Sequence, residues 1–559
     1  MNVKKTHKRR VVTLDIGEFI AKETVYKCSL CGNIETSEKL KTLVSPWCIY
    51  GYDVLVYAGK SLFIKCLSEK QILKKLKRKN IHISARGIAY LARKFIIYLA
   101  LVHRESHGSL KEAMCVRGGY ILHLDSTCEG DSPQLMSGLD GISKLVLDNI
   151  KLPSEKAEKI IPFLNRVKNA FGTPLALVHD RGKGILSAVA KVFPGVADYV
   201  CHFHFLRDIG NDLFSQENDI IRNRLKHHAC QGKLRKNAIQ LKNIIDQHPG
   251  LTDSLVRCLE NGKIDKSDFE YLPIVAAYSI IQWALDGKNR GRGYGFPFDR
   301  PYLMFYQRLQ RLYTECKKIH NTRANNCIKD NSPFIKIYHL LCEALDDKEL
   351  SIAALKMQQK AHIFDKFRDS MRIANPDDSQ GLNDNAEDGD IKTIEKRVKD
   401  FRQWLVNDIE YSQNKYYHKM VGQIDEYWEK LFADPITVNT KDESITIQPQ
   451  RTNNLLERFF RDLKRDYRRK SGLNSMGKTL KAMLADTPLV KNLDNKEYLD
   501  IVLNGKANLQ ERFAEIDAKV VREELRKSQD SSNKVPLKIR KIIKKVQLPE
   551  AIVNLFMNN

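Results

Sequence analysis

Three acidic residues stand where folding could bring carboxylates together. Asp125 ends a predicted strand over 120–125, and Asp180 ends another over 175–180. Glu457 follows a turn-forming Thr-Asn-Asn segment at the start of a predicted helix. Carboxylates held on rigid elements can bind Mg²⁺, and two such ions roughly 3.5–4 Å apart stabilise the entering and leaving oxygens of phosphoryl transfer. Aspartate is also common where a strand meets a loop, so neither aspartate is persuasive alone.

The helix predicted around Glu457 is strongly basic. Residues 451–482 hold ten Lys and Arg against three Asp and Glu. Leu456, Phe459, Phe460 and Leu463 predict one buried face, which leaves the cations on the other face. Such a face can bind the phosphates of DNA, and the alternative is that it is only a solvated surface. The residues expected to contact DNA phosphates are Arg458, Arg461, Lys464, Arg465, Arg468 and Arg469.

A second basic stretch, 70–94, contains nine Lys and Arg and no acidic residue. Ser68 and Ser84 are predicted to cap two helices joined by a tight turn. This pattern is typical of a helix-turn-helix whose second helix enters the major groove. A basic helical hairpin packed inside a larger domain is the alternative. The residues expected to contact DNA are Arg86, Arg93 and Lys94.

Two cysteines near the N-terminus have the spacing of a zinc knuckle. Cys28 and Cys31 are two residues apart and are followed by glycine, so both thiolates can face one tetrahedral Zn²⁺. Cys48 is the expected third ligand, and either Cys66 or His7 is the fourth. Two ordinary buried thiols are the alternative interpretation.

Composition narrows the class of protein. The 559 residues include 93 Lys and Arg against 68 Asp and Glu, a net charge of +25, and 42% are hydrophobic. That hydrophobic fraction excludes global disorder, and a surplus of positive charge this large favours a polyanionic partner such as nucleic acid. The longest apolar run, 95–102, is too short to cross a bilayer, and no secretory signal opens the chain. We therefore expect a cytoplasmic protein with reduced cysteines and no membrane partner.

The chain is expected to divide into several regions, because a single domain rarely exceeds about 200 residues. Strands and helices alternate from Gly118, which predicts an α/β core, and long charged helical patterns follow. Residues 376–390 contain six acidic and no basic residues, which predicts a disordered loop. The predicted regions are 1–66 (zinc-knuckle-like, with a hairpin over 51–66), 67–117 (helix-turn-helix-like), 118–206 (first part of the core), 207–445 (mainly helical insertion), 446–490 (final part of the core) and 491–559 (basic helical tail).

The order of these motifs resembles a known family. Asp125 and Asp180 are 55 residues apart, Cys201-His-Phe-His204 follows soon after, and Glu457 comes 277 residues after Asp180 in a Thr-Asn-Asn-x-x-Glu segment. This pattern resembles DDE transposases of bacterial insertion-sequence type, which are related to the Mutator-like (MULE) transposases. Short motifs give false matches singly, but their order and spacing together are more specific.

The resemblance implies an RNase H-like catalytic core with a large all-α insertion, preceded by a small zinc-knuckle and helix-turn-helix DNA-binding region. It implies that Asp125, Asp180 and Glu457 bind two Mg²⁺ ions, which Mn²⁺ can replace, and that Cys201 and His204 form an accessory motif. The implied activity is cleavage of a mobile element's DNA ends and their transfer to target DNA. The implied partners are double-stranded terminal repeats, target DNA and further copies of this chain, in a nucleoid-associated location if the source is bacterial.

Other interpretations stay open at this point. An inactive or domesticated transposase would bind DNA as a regulator and would need none of the three carboxylates. A different RNase H-like nuclease would have the carboxylates, but usually without a long helical insertion. Cys201 and His204 could also form half of a zinc site, although in a strand residues three apart point to opposite faces.

Overall fold

The computed structural model describes residues 2–36, 38–248, 250–262, 271–287, 293–325, 332–373, 391–409, 411–440, 443–472, 475–530, 539, 542–543 and 546–557, without the side chains of 323–325 and 529–530. The predicted disordered loop 376–390 lies outside these residues, as does most of the basic stretch within the predicted tail. The chain forms two units. Unit 1 consists of Met1–Tyr199 and Pro435–Asn559, and unit 2 is Val200–Asp434.

In the described ranges, ten strands form three sheets. The first sheet is antiparallel, with β1 (Asn2–Thr13), β2 (Gly17–Lys27) and β3 (Ile34–Glu35) in that order. The main sheet contains β4 (Ile121–Thr127), β5 (Gln134–Asp140), β6 (Val146–Leu152), β7 (Ala176–His179) and β8 (Ala197–Val200), in the order β6-β5-β4-β7-β8. Strands β4, β5 and β6 run antiparallel, whereas β7 lies parallel to β4. A separate hairpin is formed by β9 (Ile436–Asn439) and β10 (Ser444–Ile447).

Helices make up most of the described chain. Those before the main sheet and within it are α1 (Glu38–Leu43), α2 (Tyr52–Phe63), α3 (Glu69–Lys77), α4 (Ala85–Glu105), α5 (His107–Val116), α6 (Ala157–Phe171) and α7 (Lys183–Val192). Unit 2 contains α8 (His202–His227), α9 (Cys230–Ile245), α10 (Leu251–Asn261), α11 (Leu272–Asp286), α12 (Pro301–Asn325), α13 (Pro333–Leu345), α14 (Lys348–Ser370), α15 (Ile391–Val406), α16 (Lys415–Glu426) and α17 (Trp428–Leu431). The chain then returns to unit 1 with α18 (Asn454–Ser471), α19 (Gly477–Ala482), α20 (Lys496–Leu503), α21 (Leu509–Glu515), α22 (Ala518–Asp530) and α23 (Leu548–Met557). Within the described residues, no helix combines the length and the apolar character needed to cross a membrane.

One hydrophobic core runs through unit 1. Phe95 of α4, Leu124 of β4, Phe163 of α6 and Phe460 of α18 all belong to it. The predicted boundaries at 66 and 117 therefore cut across residues that pack together. This part of the chain is mixed α/β, with a main sheet that is partly parallel.

The hairpin predicted over 51–66 is wrong, because Tyr52–Phe63 forms helix α2. Gly59 lies within this helix, against the ring of Phe95. A Cβ atom at Gly59 would lie 2.2 Å from Phe95 Cγ. The glycine therefore permits close packing of α2 on α4, and buried Val54, Leu55 and Ala58 complete that face.

Unit 2 has its own hydrophobic core. Phe205 and Phe214 of α8 pack there with Phe364 and Phe367 of α14. The first turn of α8, residues 202–205, was expected to continue a strand, but β8 ends at Val200 and Cys201 is the residue that precedes the helix. The predicted helical insertion, 207–445, thus corresponds to a compact helical unit over Val200–Asp434.

Candidate active site

Asp125 and Asp180 come from neighbouring parallel strands. Strands β4 and β7 pair in register, with His123 opposite Val178. Continuing that register by two residues places Asp125 beside Asp180, which directly follows β7. Neighbouring strands lie about 4.8 Å apart, so the two predicted metal ligands are adjacent along the sheet.

The two aspartates also share a face of the sheet. Side chains alternate along a strand, so Asp125 points to the same side as Ile121, and Asp180 to the same side as Ala176 and Val178. These three apolar residues pack together in one small cluster. The period of two therefore carries both carboxylates to the side of the sheet that this cluster marks.

Local hydrogen bonds orient each aspartate. Asp125 is 7% exposed, and its Oδ1 accepts from the N–H of the next residue at 2.7 Å. Asp180 Oδ1 accepts from the N–H two residues further on at 3.2 Å. Gly184 lets the first turn of helix α7 approach the backbone before α6: a Cβ atom there would lie 1.7 Å from the carbonyl oxygen of Glu155.

Glu457 lies in the first turn of α18, and Asn453 attaches that turn to β4. Asn453 is fully buried, and its Nδ2 donates to the carbonyl oxygen of Leu124 at 2.7 Å. Its Oδ1 lies 3.0 Å from Nδ1 of His123. The N–H of Glu457 donates to the carbonyl oxygen of Asn453 at 3.1 Å. Glu457 is therefore one helical turn from a residue that is bonded to the strand carrying Asp125.

The donors of Asp125, Asp180 and Glu457 are chemically suited to Mg²⁺, which takes carboxylate oxygens and retains water. In the described part of the chain these three side chains do not form a group whose ligand oxygens all lie within 4.8 Å of one another. Two carboxylates come from adjacent strands and the third from a helix bonded to one of those strands. The arrangement thus offers oxygen ligands from three elements of a single packed unit.

The accessory pair Cys201 and His204 lies on a helix, which corrects the strand geometry expected for it. Residues three apart on a helix share a face, and Cys201 Sγ lies within 4.8 Å of a ring nitrogen of His204. Both residues are buried, and burial lowers the pKa of His204 to about 3, with a smaller contribution from Arg207. His204 is therefore neutral at pH 7. Between them, His202 bonds through Nε2 to the carbonyl oxygen of Leu431 at 2.6 Å, as a buried structural histidine does.

Cys28 and Cys31 lie in a tight turn after β2. The N–H of Gly32 donates to the carbonyl oxygen of Cys28 at 3.0 Å. The backbone N–H groups of Cys31 and Leu30, and then the Cys31 thiol, lower the pKa of Cys28. This turn favours a thiolate, which is the form that binds zinc.

The other expected zinc ligands are engaged elsewhere. Cys48 Sγ accepts from Lys94 Nζ at 2.8 Å, and His7 pairs with Glu23 at 3.1 Å. Among the described residues, no group of three metal ligands within 4.8 Å of one another contains Cys28, Cys31 or Cys48. The structure therefore brings together the knuckle pair but not the predicted third ligand.

The expected DNA-contacting residues differ in exposure. Lys94 is 5% exposed and bonded to Cys48, so the prediction that it contacts DNA is wrong. Arg86 is exposed and Arg93 is half-buried. On α18, Lys464 is half-buried, whereas the five arginines of the prediction are exposed: Arg458, Arg461, Arg465, Arg468 and Arg469.

Sequence reasoning did not identify His123 and Asn453 as parts of this site. His123 is two residues before Asp125, and the period of a strand places both on one face. Asn453 belongs to the quoted Thr-Asn-Asn segment, but was interpreted only as a turn former. A scan against protein-family models and a search of curated proteins found no match to this chain.

Proposed function

We propose that this chain is a DDE-type DNA transposase. It binds the ends of a mobile element, cleaves one strand at each end and joins the freed ends to target DNA. Its partners are double-stranded DNA and further copies of the chain, and its location is the cytoplasm, on the nucleoid if the source is bacterial. The alternative of a regulator that only binds DNA is decided by the experiment below.

One observation carries the proposal: Asp125 and Asp180 are adjacent in register on parallel strands, and Asn453 bonds the first turn of the Glu457 helix to the same strand. Acids 55 and 277 residues apart that matched the motif by chance would not be expected on two paired strands and on a helix that a side-chain hydrogen bond attaches to one of them. We also propose that the main sheet is an RNase H-like core. The strand order β6-β5-β4-β7-β8 supports this, because it places the two aspartate strands side by side near the centre.

In the proposed reaction, Asp125, Asp180 and Glu457 would hold two Mg²⁺ ions. Bound Mg²⁺ supplies Lewis-acid stabilisation of the oxygens that enter and leave phosphorus. Water first attacks the phosphodiester at the element end and releases a 3′-hydroxyl. That hydroxyl then attacks a phosphodiester of the target, and the target's own 3′-oxygen leaves, so no protein–DNA bond forms.

The exposed arginines of α18 would position the DNA. They begin at Arg458, next to the proposed metal ligand, and continue along the helix to Arg469. Phosphate contacts fix the register of a duplex without reading its sequence. A backbone held along α18 would therefore present a phosphodiester to the carboxylates at the helix's first turn.

The test uses end-labelled duplexes made from the DNA that flanks this protein's own gene, incubated with Mg²⁺ or Mn²⁺. We expect strand cleavage by the unmodified protein and a loss of at least about a thousandfold in Glu457→Gln, because a metal ligand is removed while the side-chain shape is kept. Asp462→Asn is the matched control on the same helix. Asp462 is paired with Arg465 at 3.0 Å and lies about 140° around the helix from Glu457, so we expect nearly full activity.

Equal cleavage by Glu457→Gln and the unmodified protein would refute the assignment of the third ligand. DNA binding with no cleavage under either metal would favour the regulator.

Zinc binding by Cys28 and Cys31 is a separate proposal. Elemental analysis is expected to give about one zinc per chain, lost in Cys28→Ser and retained in Cys48→Ser. No zinc in the unmodified protein would exclude it.

A further inference from the structure

We propose that Asn453 is a positioning residue, which sets the place of Glu457 relative to Asp125 by bonding to both β4 and α18. This inference rests on the function proposed above and extends it to a residue that contacts neither metal nor DNA. His123 is its partner on the strand. Together the two residues form a bridge between the aspartate strand and the glutamate helix.

The amide of Asn453 is used at both ends. Nδ2 donates to the carbonyl oxygen of Leu124 at 2.7 Å, which leaves Oδ1 as an acceptor. Nδ1 of His123, 3.0 Å from Oδ1, must therefore carry the proton. The bridge thus fixes both the orientation of the amide and the tautomer of His123.

Asn453 does not do what asparagine usually does before a helix. An asparagine at that position normally accepts a hydrogen bond from an N–H in the helix's first turn. The side chain of Asn453 makes no such bond to α18. It forgoes that local bond, and its side chain instead contacts the neighbouring strand at a site with no exposure to solvent.

The same residue also begins the helix. Its carbonyl oxygen accepts from the N–H of Glu457 at 3.1 Å, the bond between residues four apart that defines an α-helix. Four residues correspond to about 6 Å along the axis and to a rotation of about 400°, so Glu457 lies about 40° from Asn453 around α18. The helix is therefore attached to β4 on the side from which Glu457 projects.

Substitution tests whether this attachment matters. Asn453→Ala removes both side-chain bonds and leaves every carboxylate in place. The matched control is Asn492→Ala: Asn492 is 2% exposed and its amide bonds to the N–H of Val146 at 2.9 Å and to its carbonyl oxygen at 2.8 Å. The Asn492 side chain therefore bonds to the backbone of β6 as that of Asn453 bonds to β4. Strand β6 lies two places from β4, which carries Asp125.

Binding of Mn²⁺ alone, without DNA, is the main measurement. We expect Asn453→Ala to weaken Mn²⁺ binding about tenfold and to cut DNA about a hundredfold more slowly at low Mn²⁺, with much of the rate recovered at high Mn²⁺. We expect Asn492→Ala to lower thermal stability by about as much as Asn453→Ala does, while leaving Mn²⁺ affinity unchanged. A general structural role would instead affect both variants alike, and equal Mn²⁺ binding by Asn453→Ala and the unmodified protein would overturn the inference.

The tautomer of His123 gives a second readout that does not depend on catalysis. In the unmodified protein, nitrogen NMR of labelled histidine should show a proton on Nδ1 of His123, and Asn453→Ala should shift that signal while Asn492→Ala does not. If the unmodified protein binds no Mn²⁺, the proposed function fails. The hydrogen bond between Asn453 and His123 is refuted if the His123 signal is the same in Asn453→Ala, whether or not the protein binds Mn²⁺.

Discussion

Helices α4 and α18 were both expected to bind DNA because each lies in a basic stretch of sequence. In the structure, the cations of the two helices differ in exposure. On α4, every residue from Lys94 to His103 is buried, and Arg104 pairs with Asp486 at 3.0 Å. On α18, only Leu456, Phe459 and Phe460 are buried, and five arginines are exposed. Of the three α4 cations expected to contact DNA only Arg86 is exposed, whereas five of the six on α18 are exposed.

The cause is the arrangement of apolar residues around each helix. In α18 they recur at three- and four-residue intervals, which leaves a broad polar face. In α4 the run 95–102 is apolar in every direction, which is typical of a helix buried on all sides. A count of Lys and Arg therefore predicts a DNA surface only where the apolar residues are confined to one stripe.

Inverting the buried charge of α4 should have the largest effect on stability. Lys94→Glu would place a carboxylate beside Cys48 with no cation in the position of the lost ammonium. We expect unfolding free energy to fall by about 3–5 kcal/mol, the usual cost of an uncompensated buried charge, in urea titrations. Lys94→Met should be far milder and should leave DNA affinity within about twofold. A large specific loss of DNA binding in Lys94→Met would show that the ammonium reaches DNA after all.

Reversing charge on α18 should affect binding rather than folding. For Arg461→Glu with Arg468→Glu we expect DNA affinity to fall about a hundredfold, or about 2.7 kcal/mol, with a shallower salt dependence because phosphate contacts are lost. The control is Lys519→Glu with Arg526→Glu on α22, where both cations are also exposed. Equal losses in the two double variants, measured by fluorescence anisotropy on one duplex, would mean that general charge rather than α18 governs binding.

The burial of Asp486, the acidic partner of Arg104, can be tested through the pH dependence of stability. Burial raises the pKa of Asp486 to about 6, against an opposing effect of Arg104. A raised acid pKa means that the folded state binds the proton more tightly, so this group's contribution to stability is present at low pH and is lost as pH rises through about 6. Asp486→Asn should therefore be about 1–2 kcal/mol more stable than the unmodified protein at pH 7.5 and nearly equal to it at pH 4. Urea titrations at both values measure this, and a difference that grows toward low pH would reverse the assignment.

Arg86, the exposed cation near the start of α4, is expected to give the smallest loss of DNA affinity. We expect Arg86→Ala to weaken DNA binding about fivefold, which is about 1 kcal/mol. If the first turn of α4 reads sequence, the loss will be larger on the flanking DNA than on random DNA of equal length. Equal losses on both duplexes would reduce Arg86 to a phosphate contact, and no loss would remove α4 from the binding surface.

The strands that carry the two aspartates of the candidate site, and two helix caps outside it, were predictable because they depend on local periodicity. The strands that end near Asp125 and Asp180 were expected from short apolar runs, and the structure confirms both as β4 and β7. The caps Ser68 and Ser84 were also expected and are confirmed, each accepting from the N–H three residues on. These features depend on residues close in sequence, so a single chain is enough to predict them.

What escaped prediction depends on partners distant in sequence. Glycine favours turns in isolation, but Gly59 lies within α2, where its missing side chain leaves room for Phe95. Cys48 and Lys94 were assigned to zinc and to DNA, but they bond to each other across 46 positions. Asn453 was interpreted as a turn residue, and its role depends on His123 and Leu124, more than three hundred positions earlier.

The discontinuity of unit 1 has a consequence for how the protein is made. A ribosome adds roughly 5–20 residues per second, and nascent chains fold domain by domain. Unit 2 is continuous in sequence and can fold as soon as it emerges, whereas the first part of unit 1 must wait while all of Val200–Asp434 is translated. Asn453 and Glu457 emerge only after that delay. The proposed nuclease is therefore completed near the end of synthesis, and a truncated product that stops within unit 2 would lack the residues needed to cut DNA.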